Sequence, residues 1–129
     1  MGGITYAYDG LGSRISQTAN SIVTRYLLDY QPALVKTLAA TTGTDIARYV
    51  FDPLGIHAQQ EPNGTWKHIL RDGLSSARMV VDNALNVDSI EHYAPYGEPF
   101  EPGTFGSPFM FTGEMVDANE LVYLRARYY

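Results

Sequence analysis

An aspartate recurs about every 20 residues along this 129-residue sequence, and that spacing restricts the fold more than any other feature. The positions are Asp9, Asp29, Asp52 and Asp72, at intervals of 20, 23 and 20 residues, and residues 92–93 are the next equivalent place. Each aspartate ends an apolar run and begins a turn signal. About 20 residues is the length of one β-hairpin, and a lone hairpin cannot bury its own apolar face. The spacing therefore predicts hairpins that stack side by side.

The repeated turns carry a recognisable chemistry. Residues 8–12 and 51–55 each place an aromatic-Asp pair three residues before a glycine, and residues 93–97 are a related segment with Ala in place of Asp. An aspartate side chain can accept hydrogen bonds from the backbone N–H groups of its own turn, and glycine adopts positive φ at little cost. The predicted turn residues are Asp9, Gly12, Asp52, Gly55, Asp72 and Gly97.

Alternation with a period of two residues predicts the strands. Residues 32–40 contain Ala and Leu that allow a helix, but Val35, Thr37 and the Thr-Thr-Gly that follows favour a strand. The predicted fold is all-β, with consecutive antiparallel hairpins in a curved or spiralling sheet and closure into a barrel as an open alternative. Helix is expected in less than about 15% of residues. The other predicted strands are residues 4–8, 22–28, 48–51, 66–70, 78–81 and 122–128.

Three further positions give local predictions. Asn63 and Gly64 both tolerate positive φ, so they predict a type I′ hairpin turn. Residues 97–107 are rich in glycine and proline and predict an irregular loop. Gly113 follows a short apolar run, and we expect it to end a strand in a backbone conformation that other residues resist.

Composition excludes several classes of protein. The chain has no cysteine, which excludes a disulfide framework and cysteine-based zinc sites. Its net charge of −5 argues against nucleic acid as the main partner. No apolar run approaches the ~18 residues of a membrane span, and residues 1–6 lack the layout of a signal peptide. Residues 1–129 are therefore expected to form a single β domain.

Several motifs resemble those of one known family. The Tyr-Asp-Gly-Leu-Gly-Ser-Arg at residues 8–14 resembles a YD repeat, and residues 72–78 resemble the Asp-x-Leu-Gly-Ser-x-Arg turn with Ser75 in place of Gly. Together with residues 93–98, 109–114 and 121–129, they make the chain similar to the YD-repeat, or Rhs, proteins and in particular to the Rhs repeat-associated core region. Arg125 and Arg127 belong to the last of these motifs.

The resemblance implies an architecture and a function. Members of this family wind hairpins into a hollow shell that encloses a C-terminal toxin or effector, and they are typically secreted or bound to the cell surface. The resemblance predicts a non-enzymatic shell fragment whose partners are the rest of the shell and the effector of a full-length parent. The family's self-cleavage region follows an Asp-Pro segment after the last motif, and this sequence ends at Tyr129. Self-cleavage is therefore assigned to no residue here.

Catalysis and ligand binding are the alternative functions for these residues. Ser75 and Ser76 lie in a loosely elbow-like segment that no helical pattern follows. The histidines are 11 and 24 residues apart, which matches no metal motif. We therefore predict neither enzyme activity nor a metal or cofactor. The alternative function is a binding module for carbohydrate or a partner protein, through the aromatic sheet face or an exposed strand edge. The three histidines are His57, His68 and His92.

An open sheet also predicts self-association. Unpaired edge strands favour pairing with further strands. We therefore expect residues 4–8 and 122–128 to be exposed edge strands of the sheet, and residues 122–128 to contact another copy. Closure into a barrel would hide the same edges.

Overall fold

The structure is a computed structural model, and it describes residues 3–101 and 103–125. The described residues contain eleven strands and one 3-10 turn, Phe111–Gly113. The strands are β1 (Ile4–Tyr8), β2 (Arg14–Ala19), β3 (Ile22–Asp29), β4 (Lys36–Thr42), β5 (Asp45–Asp52), β6 (Gly55–Gln60), β7 (Trp66–Arg71), β8 (Ala77–Asp82), β9 (Val87–Ile90), β10 (Met115–Val116) and β11 (Val122–Tyr123).

Strands β1 to β9 form one antiparallel sheet whose order follows the chain. Every neighbouring pair is therefore a hairpin, and the predicted all-β fold of consecutive hairpins is confirmed. β1 and β9 are the two edge strands, so the sheet is open and does not close into a barrel. The short strands β10 and β11 pair with each other in a separate two-stranded sheet. No helix in the described part of the chain is long and apolar enough to cross a membrane.

A register shift recurs at the same place in each of four hairpins. It lies one or two residues before the turn aspartate, and it inserts one extra residue in the partner strand, as in a β-bulge. Bulges bend a strand and increase its twist. The repeat therefore carries a bulge as well as a turn, and a fifth shift, at Val80/Val81, precedes Asp82 at the opposite end of the strands. The other four shifts fall at Ala7/Tyr8, Leu27/Leu28, Val50/Phe51 and Leu70/Arg71.

The predicted strands with strong apolar alternation are confirmed as β1, β3, β5, β7 and β8. Residues 32–40 are a strand only from Lys36, and β4 runs on to Thr42. The sequence did not predict β2, β6, β9 and β10, which are polar or short. β2 and β6 each lie between two stronger strands, so hydrogen bonds to both neighbours make them extended despite a weak pattern.

Two predictions of local structure were wrong in detail. The Asn63-Gly64 turn has positive φ at Gly64 only, so it is not type I′. Gly64 N–H donates to the Glu61 carbonyl across Pro62, and proline favours the first central position of a type I turn. The expected strand end at Gly113 is instead the 3-10 turn.

The chain after β9 folds back over one face of the sheet. We call residues 91–101 and 103–125 the covering segment, and the face beneath them the covered face. Phe109 and Met115 of this segment join the buried core. The described residues between 97 and 107 contain no strand, which confirms the predicted irregular loop. The sheet residues of the core are Tyr49, Ile56, Ile69, Ala77 and Val80.

The prediction that residues 122–128 form an exposed edge strand of the main sheet was wrong. Val122 and Tyr123 pair with β10 on the covered face, and they do not extend the nine-stranded sheet. Residues 126–128 lie outside the described residues.

Candidate functional site

A buried arginine joins the covering segment to the sheet. Arg14, 3% exposed at the start of β2, donates from Nη1 to Asp117 Oδ2 at 2.5 Å. Its guanidinium carbon lies 4.0 Å from the ring centroid of Tyr123, 5.1 Å from that of Tyr26 and 5.3 Å from that of Tyr6. Arginine stacks on aromatic faces and is weakly hydrated, so this residue type suits a buried position of this kind.

The tyrosines around Arg14 stay neutral at physiological pH. Burial raises the pKa of Tyr26, and burial likewise raises the pKa of Tyr123 above its ordinary value. Among the described residues, Asp117 supplies the negative charge that faces the guanidinium. Both side chains of the ion pair are about 1% exposed, so solvent screens the attraction little.

An aromatic anchor lies farther along the covering segment. Phe109 is 4% exposed, and its ring meets Tyr49 edge-on at a centroid distance of 4.8 Å and Phe51 at 5.4 Å. Burial raises the pKa of Tyr49 to about 12. Edge-to-face contacts add to the burial of apolar area. Phe109 therefore holds the covering segment against the middle of the sheet.

A buried carboxylate organises the start of the covering segment. Glu91 Oε1 accepts backbone N–H bonds from His92, Phe100 and Glu101 at 2.8, 3.0 and 3.3 Å. The Glu91 N–H in turn donates to the Arg78 carbonyl on β8 at 2.9 Å. One side chain thus ties residues 92 and 100–101 of the covering segment to the sheet. This role has no signal in the sequence, where Glu91 stands out only as a carboxylate near His92.

The two serines considered as nucleophiles act as hydrogen-bonding residues of turns. Ser75 Oγ donates to the Leu54 carbonyl at 2.6 Å, and the fully buried Ser76 Oγ accepts the Thr112 N–H at 2.8 Å. The Ala77 N–H donates to the Met110 carbonyl at 3.0 Å. Residues 75–77 therefore lie where hydrogen bonds join the sheet to the covering segment.

His57 and His68 line one surface pocket, but the three histidines have separate polar partners. His57 Nδ1 lies 3.7 Å from Asp52 Oδ2, His68 Nε2 lies 2.9 Å from Asn83 Oδ1, and the His92 N–H is held by Glu91. Within residues 3–101 and 103–125, no three His, Cys, Asp or Glu side chains are placed to hold a metal ion.

Arg125 lies at the other end of the covering segment. Its Nη1 donates to both Glu114 carboxylate oxygens at 2.9 Å, and its Nε donates to the Val35 carbonyl at 3.0 Å. This motif arginine therefore links β11 to the loop before β4. Arg127 lies outside the described residues.

The turn aspartates lie along one end of the strands, which we call the turn rim. The β1–β2, β3–β4, β5–β6 and β7–β8 turns share this rim because the hairpins follow chain order. Asp9, Asp52 and Asp72 each accept two backbone N–H bonds of their own turn through Oδ1, at 2.7 to 3.1 Å. Arg71 adds a bidentate pair to Asp52, with distances of 3.0 and 2.6 Å.

These hydrogen bonds favour the charged carboxylates. The hydrogen bond from Tyr30 lowers the pKa of Asp9, and the Arg71 hydrogen bond lowers the pKa of Asp52. Burial acts to raise the pKa of Asp72, but the Arg78 hydrogen bond and the turn amides outweigh it, so that pKa is also lowered. A carboxyl with a lowered pKa stabilises the fold above its unfolded-state pKa, and that contribution is lost as pH falls through the folded-state pKa.

Asp52→Asn is therefore expected to lower the melting temperature at pH 7, because the Arg71 pair loses its charge. As pH falls below the ordinary carboxyl pKa of about 3.9 and on through the lowered pKa of folded Asp52, wild-type Asp52 is protonated too, and the two melting temperatures should converge. Thermal unfolding at pH 7 and at a series of values below pH 4 measures this. A difference that stays constant with pH would show that the Asp52 charge does not matter.

The four motif glycines all have positive φ: +81° at Gly12, +144° at Gly55, +93° at Gly97 and +74° at Gly113. A Cβ on Gly55 would lie 3.0 Å from Nη1 of the flexible Arg71 side chain, whereas Gly97 and Gly113 are packed against a ring and a backbone atom. A Cβ on Gly97 would lie 2.5 Å from the Phe111 ring, and one on Gly113 would lie 3.1 Å from the Ser75 carbonyl oxygen. At both positions the left-handed backbone and the neighbouring atoms together select glycine.

Gly113→Val is expected to lower the free energy of unfolding by about 1–3 kcal/mol, because a β-branched residue resists positive φ. Urea unfolding measures the loss. Gly73→Val is the matched control, since Gly73 lies in an open turn without positive φ and has no atom within 4 Å of the new Cβ. Equal losses in the two variants would contradict the expectation.

A cleft of about 600 Å³ opens between the irregular loop and β11. Tyr93, Tyr96 and Phe111 contribute aromatic rings to its wall, and Glu98 and Glu120 contribute carboxylates. Tyr96 is almost fully exposed, whereas Tyr93 packs edge-on against Phe111 at 5.6 Å. The cleft therefore combines apolar rings with hydrogen-bond acceptors.

The fold defines the chain as a curved array of β-hairpins with one face covered by its own C-terminal part. No protein-family model matches the sequence, and no curated protein does so either. Solved structures do share the fold over 98% of this chain. One is TcdB2-TccC3-Cdc42, with a TM-score of 0.65 and 20% sequence identity. Another is TcdB2-TccC3 without its hypervariable C-terminal region, with a TM-score of 0.62 and 18% sequence identity.

The Photorhabdus luminescens Tc holotoxin pore is a third such structure, with a TM-score of 0.62 and 20% identity. This chain spans 7% of the length of each matched chain. It thus has the fold of a small segment of these Tc toxin chains.

Proposed function

We propose that the chain is a non-enzymatic structural segment of an Rhs, or YD-repeat, shell. In a full-length parent it would form part of the wall that encloses a C-terminal toxin or effector. The observation that carries this proposal is the hairpin array with its self-covered face, which matches a segment of Tc toxin chains over 98% of its length. The sequence motifs of the Rhs core region support the same interpretation.

The distribution of bonding groups supports a structural role. Polar groups in several parts of the fold have partners that stabilise it: the turn aspartates hold backbone amides, Ser76 holds Thr112, and Arg14 holds Asp117. These bonds join repeat to repeat and sheet to covering segment. A wall that must stay closed around a cargo needs such rigid connections between successive hairpins.

A chimera tests the proposal. This chain replaces the matched segment of TcdB2-TccC3, and protease protection of the hypervariable C-terminal region is followed by gel electrophoresis. We expect the region to remain protected, and we expect a chimera with Asp117→Ala to lose protection. A soluble chimera whose hypervariable region is digested as fast as the isolated region would contradict the proposal. A YD-repeat or toxin gene in the DNA flanking this gene would support it.

A carbohydrate-binding module is the second candidate function, and the cleft beside Tyr96 favours it. Aromatic faces stack on sugar rings, and Glu98 and Glu120 could accept hydroxyl hydrogen bonds. NMR titration with a panel of oligosaccharides tests this candidate. Shifts that saturate and disappear in Tyr96→Ala, but persist in the half-exposed control Tyr8→Ala, would support it. Absence of shifts at millimolar sugar would exclude it.

A further inference from the structure

Exposed leucines stand in a row along the turn rim. Leu11, Leu54 and Leu74 occupy the same place in three turns, two residues after the aspartate, and are 83%, 74% and 69% exposed. Leu34 in the intervening β3–β4 loop is 59% exposed. Successive hairpins lie two strand spacings apart, roughly 10 Å. We call these four side chains the leucine row.

The turn itself does not need leucine. Asp72 accepts the N–H groups of Leu74 and Ser76, and Asp82 at the opposite end of the strands accepts those of Ala84 and Asn86 at 2.8 and 2.9 Å. The same turn is thus built with alanine in the leucine position. The leucine side chains therefore have no part in forming the turns that carry them.

The opposite end of the strands carries no such row. Its turns lie at residues 20–21, 43–44, 61–65 and 83–86 and consist of polar residues, glycine, proline and alanine, apart from Leu85. Leu85 is 77% exposed, about as much as Leu54. Single exposed apolar residues are ordinary on protein surfaces, whereas the four leucines of the row recur in successive turns at one end of the strands. The two ends of the sheet thus differ in their capacity for apolar contact.

The turns that carry the leucine row are linked to one another. Ser75 Oγ donates to the Leu54 carbonyl at 2.6 Å, which joins the β5–β6 and β7–β8 turns. The Tyr30 hydroxyl donates to Asp9, which joins the first two turns of the rim. Because these links fix the turns before any contact forms, association along the row would cost little ordering entropy.

We propose that the leucine row is the contact surface for a second copy of this chain. The two copies would meet rim to rim about a two-fold axis, with their rows running in opposite directions. A two-fold contact is self-complementary, so an apolar row meets an apolar row. The proposal is independent of the proposed shell function.

Charge favours the antiparallel arrangement. At one end of the rim, Asp9 and Asp29 have no basic partner among the ion pairs of the described residues. At the other end, Asp52 and Asp72 are paired with arginines. When the two rows run in opposite directions, Asp9 and Asp29 of one copy, which lack a basic partner, face Asp52 and Asp72 of the other copy, which are paired with arginines. A parallel arrangement would set like charges face to face.

The size of the row predicts a weak dimer. Four leucines with these exposures offer an apolar patch on the order of 500 Å², at the upper range of what monomers leave open. Two copies would bury about 1,000 Å² in total, below the size of stable interfaces and typical of transient ones. We therefore expect reversible association at micromolar or higher concentration.

Sedimentation velocity across about 5–500 µM tests the proposal on the intact chain, in the range where weak dimers dissociate. We expect a concentration-dependent dimer that the combined changes Leu11→Gln, Leu54→Gln and Leu74→Gln weaken by at least about tenfold. The matched pair is Leu54→Gln, which should weaken association, and Leu85→Gln, which should not. A monomer at every concentration, or a dimer that the triple variant leaves unchanged, would overturn the proposal.

Single cysteines give a second readout, because the chain has no cysteine of its own. With added copper-phenanthroline and oxygen as the oxidant, a mixture of Leu34→Cys and Leu54→Cys, which face each other in the antiparallel arrangement, should form a disulfide-linked dimer well before a mixture of Leu34→Cys and Leu85→Cys does. Equal rates of crosslinking would mean that the turn rim is not the contact. Circular dichroism of each variant confirms that the sheet is intact.

Discussion

Asp117→Ala is expected to lower the free energy of unfolding by about 3–5 kcal/mol, because it leaves Arg14 charged and buried without its carboxylate. Arg14 lies beneath the covering segment with both side chains of the pair about 1% exposed, so water cannot replace the lost partner without opening the structure. Urea unfolding followed by tyrosine and tryptophan fluorescence measures the loss.

An exposed ion pair provides the control. Lys67 Nζ lies 3.2 Å from Asp88 Oδ1, with side chains 22% and 37% exposed, so Asp88→Ala should cost no more than about 1 kcal/mol. Replacing both buried partners, Arg14→Met with Asp117→Leu, should recover much of the stability that Asp117→Ala loses, since neither charge is then stranded. An Asp117→Ala variant within 1 kcal/mol of wild type would show that Arg14 does not depend on Asp117.

Phe109→Ala should lower the free energy of unfolding by about 3–5 kcal/mol through lost burial and the cavity that remains. Phe109 contacts Tyr49 and Phe51 at the middle of the covered face, so the covering segment loses its apolar anchor there. Phe100 lies in the same segment but is 67% exposed, and Phe100→Ala should change stability by less than about 0.5 kcal/mol.

Hydrogen exchange separates local release of the covering segment from global loss of stability. The Ala77 N–H bonds the Met110 carbonyl of the covering segment, whereas the amides of β4 and β5 bond one another. In Phe109→Ala the Ala77 amide should exchange faster by a larger factor than the β4–β5 amides. Uniform acceleration would mean that sheet and covering segment unfold as one unit.

Much of the fold follows from the repeat. The recurring aspartates and the alternating runs predicted hairpins in chain order, because turn capping and period-two burial are local consequences of residue type. The strands with strong alternation were found for this reason. β2 and β6 were missed, because they owe their extended conformation to hydrogen bonds with neighbours on both sides rather than to their own side chains.

Only the tertiary structure determined where the C-terminal part of the chain lies relative to the sheet. The sequence analysis placed residues 122–128 at an edge of the sheet, whereas Val122 and Tyr123 lie on the covered face beside Arg14. Nothing local in the sequence pairs Arg14 with Asp117 or gathers three backbone amides on Glu91, since these contacts join residues far apart or within an irregular loop.

The residue types in the sequence determined where the turns lie, the 20-residue spacing of the hairpins, the all-β class and the positions where glycine is needed. Tertiary structure decided which face is covered, which charges are buried and which leucines stay outside. The physical reason is range: turns and alternation depend on residues a few positions apart, whereas burial of Arg14 and Phe109 depends on a curved sheet that brings chain segments about 60 to 100 residues apart into contact.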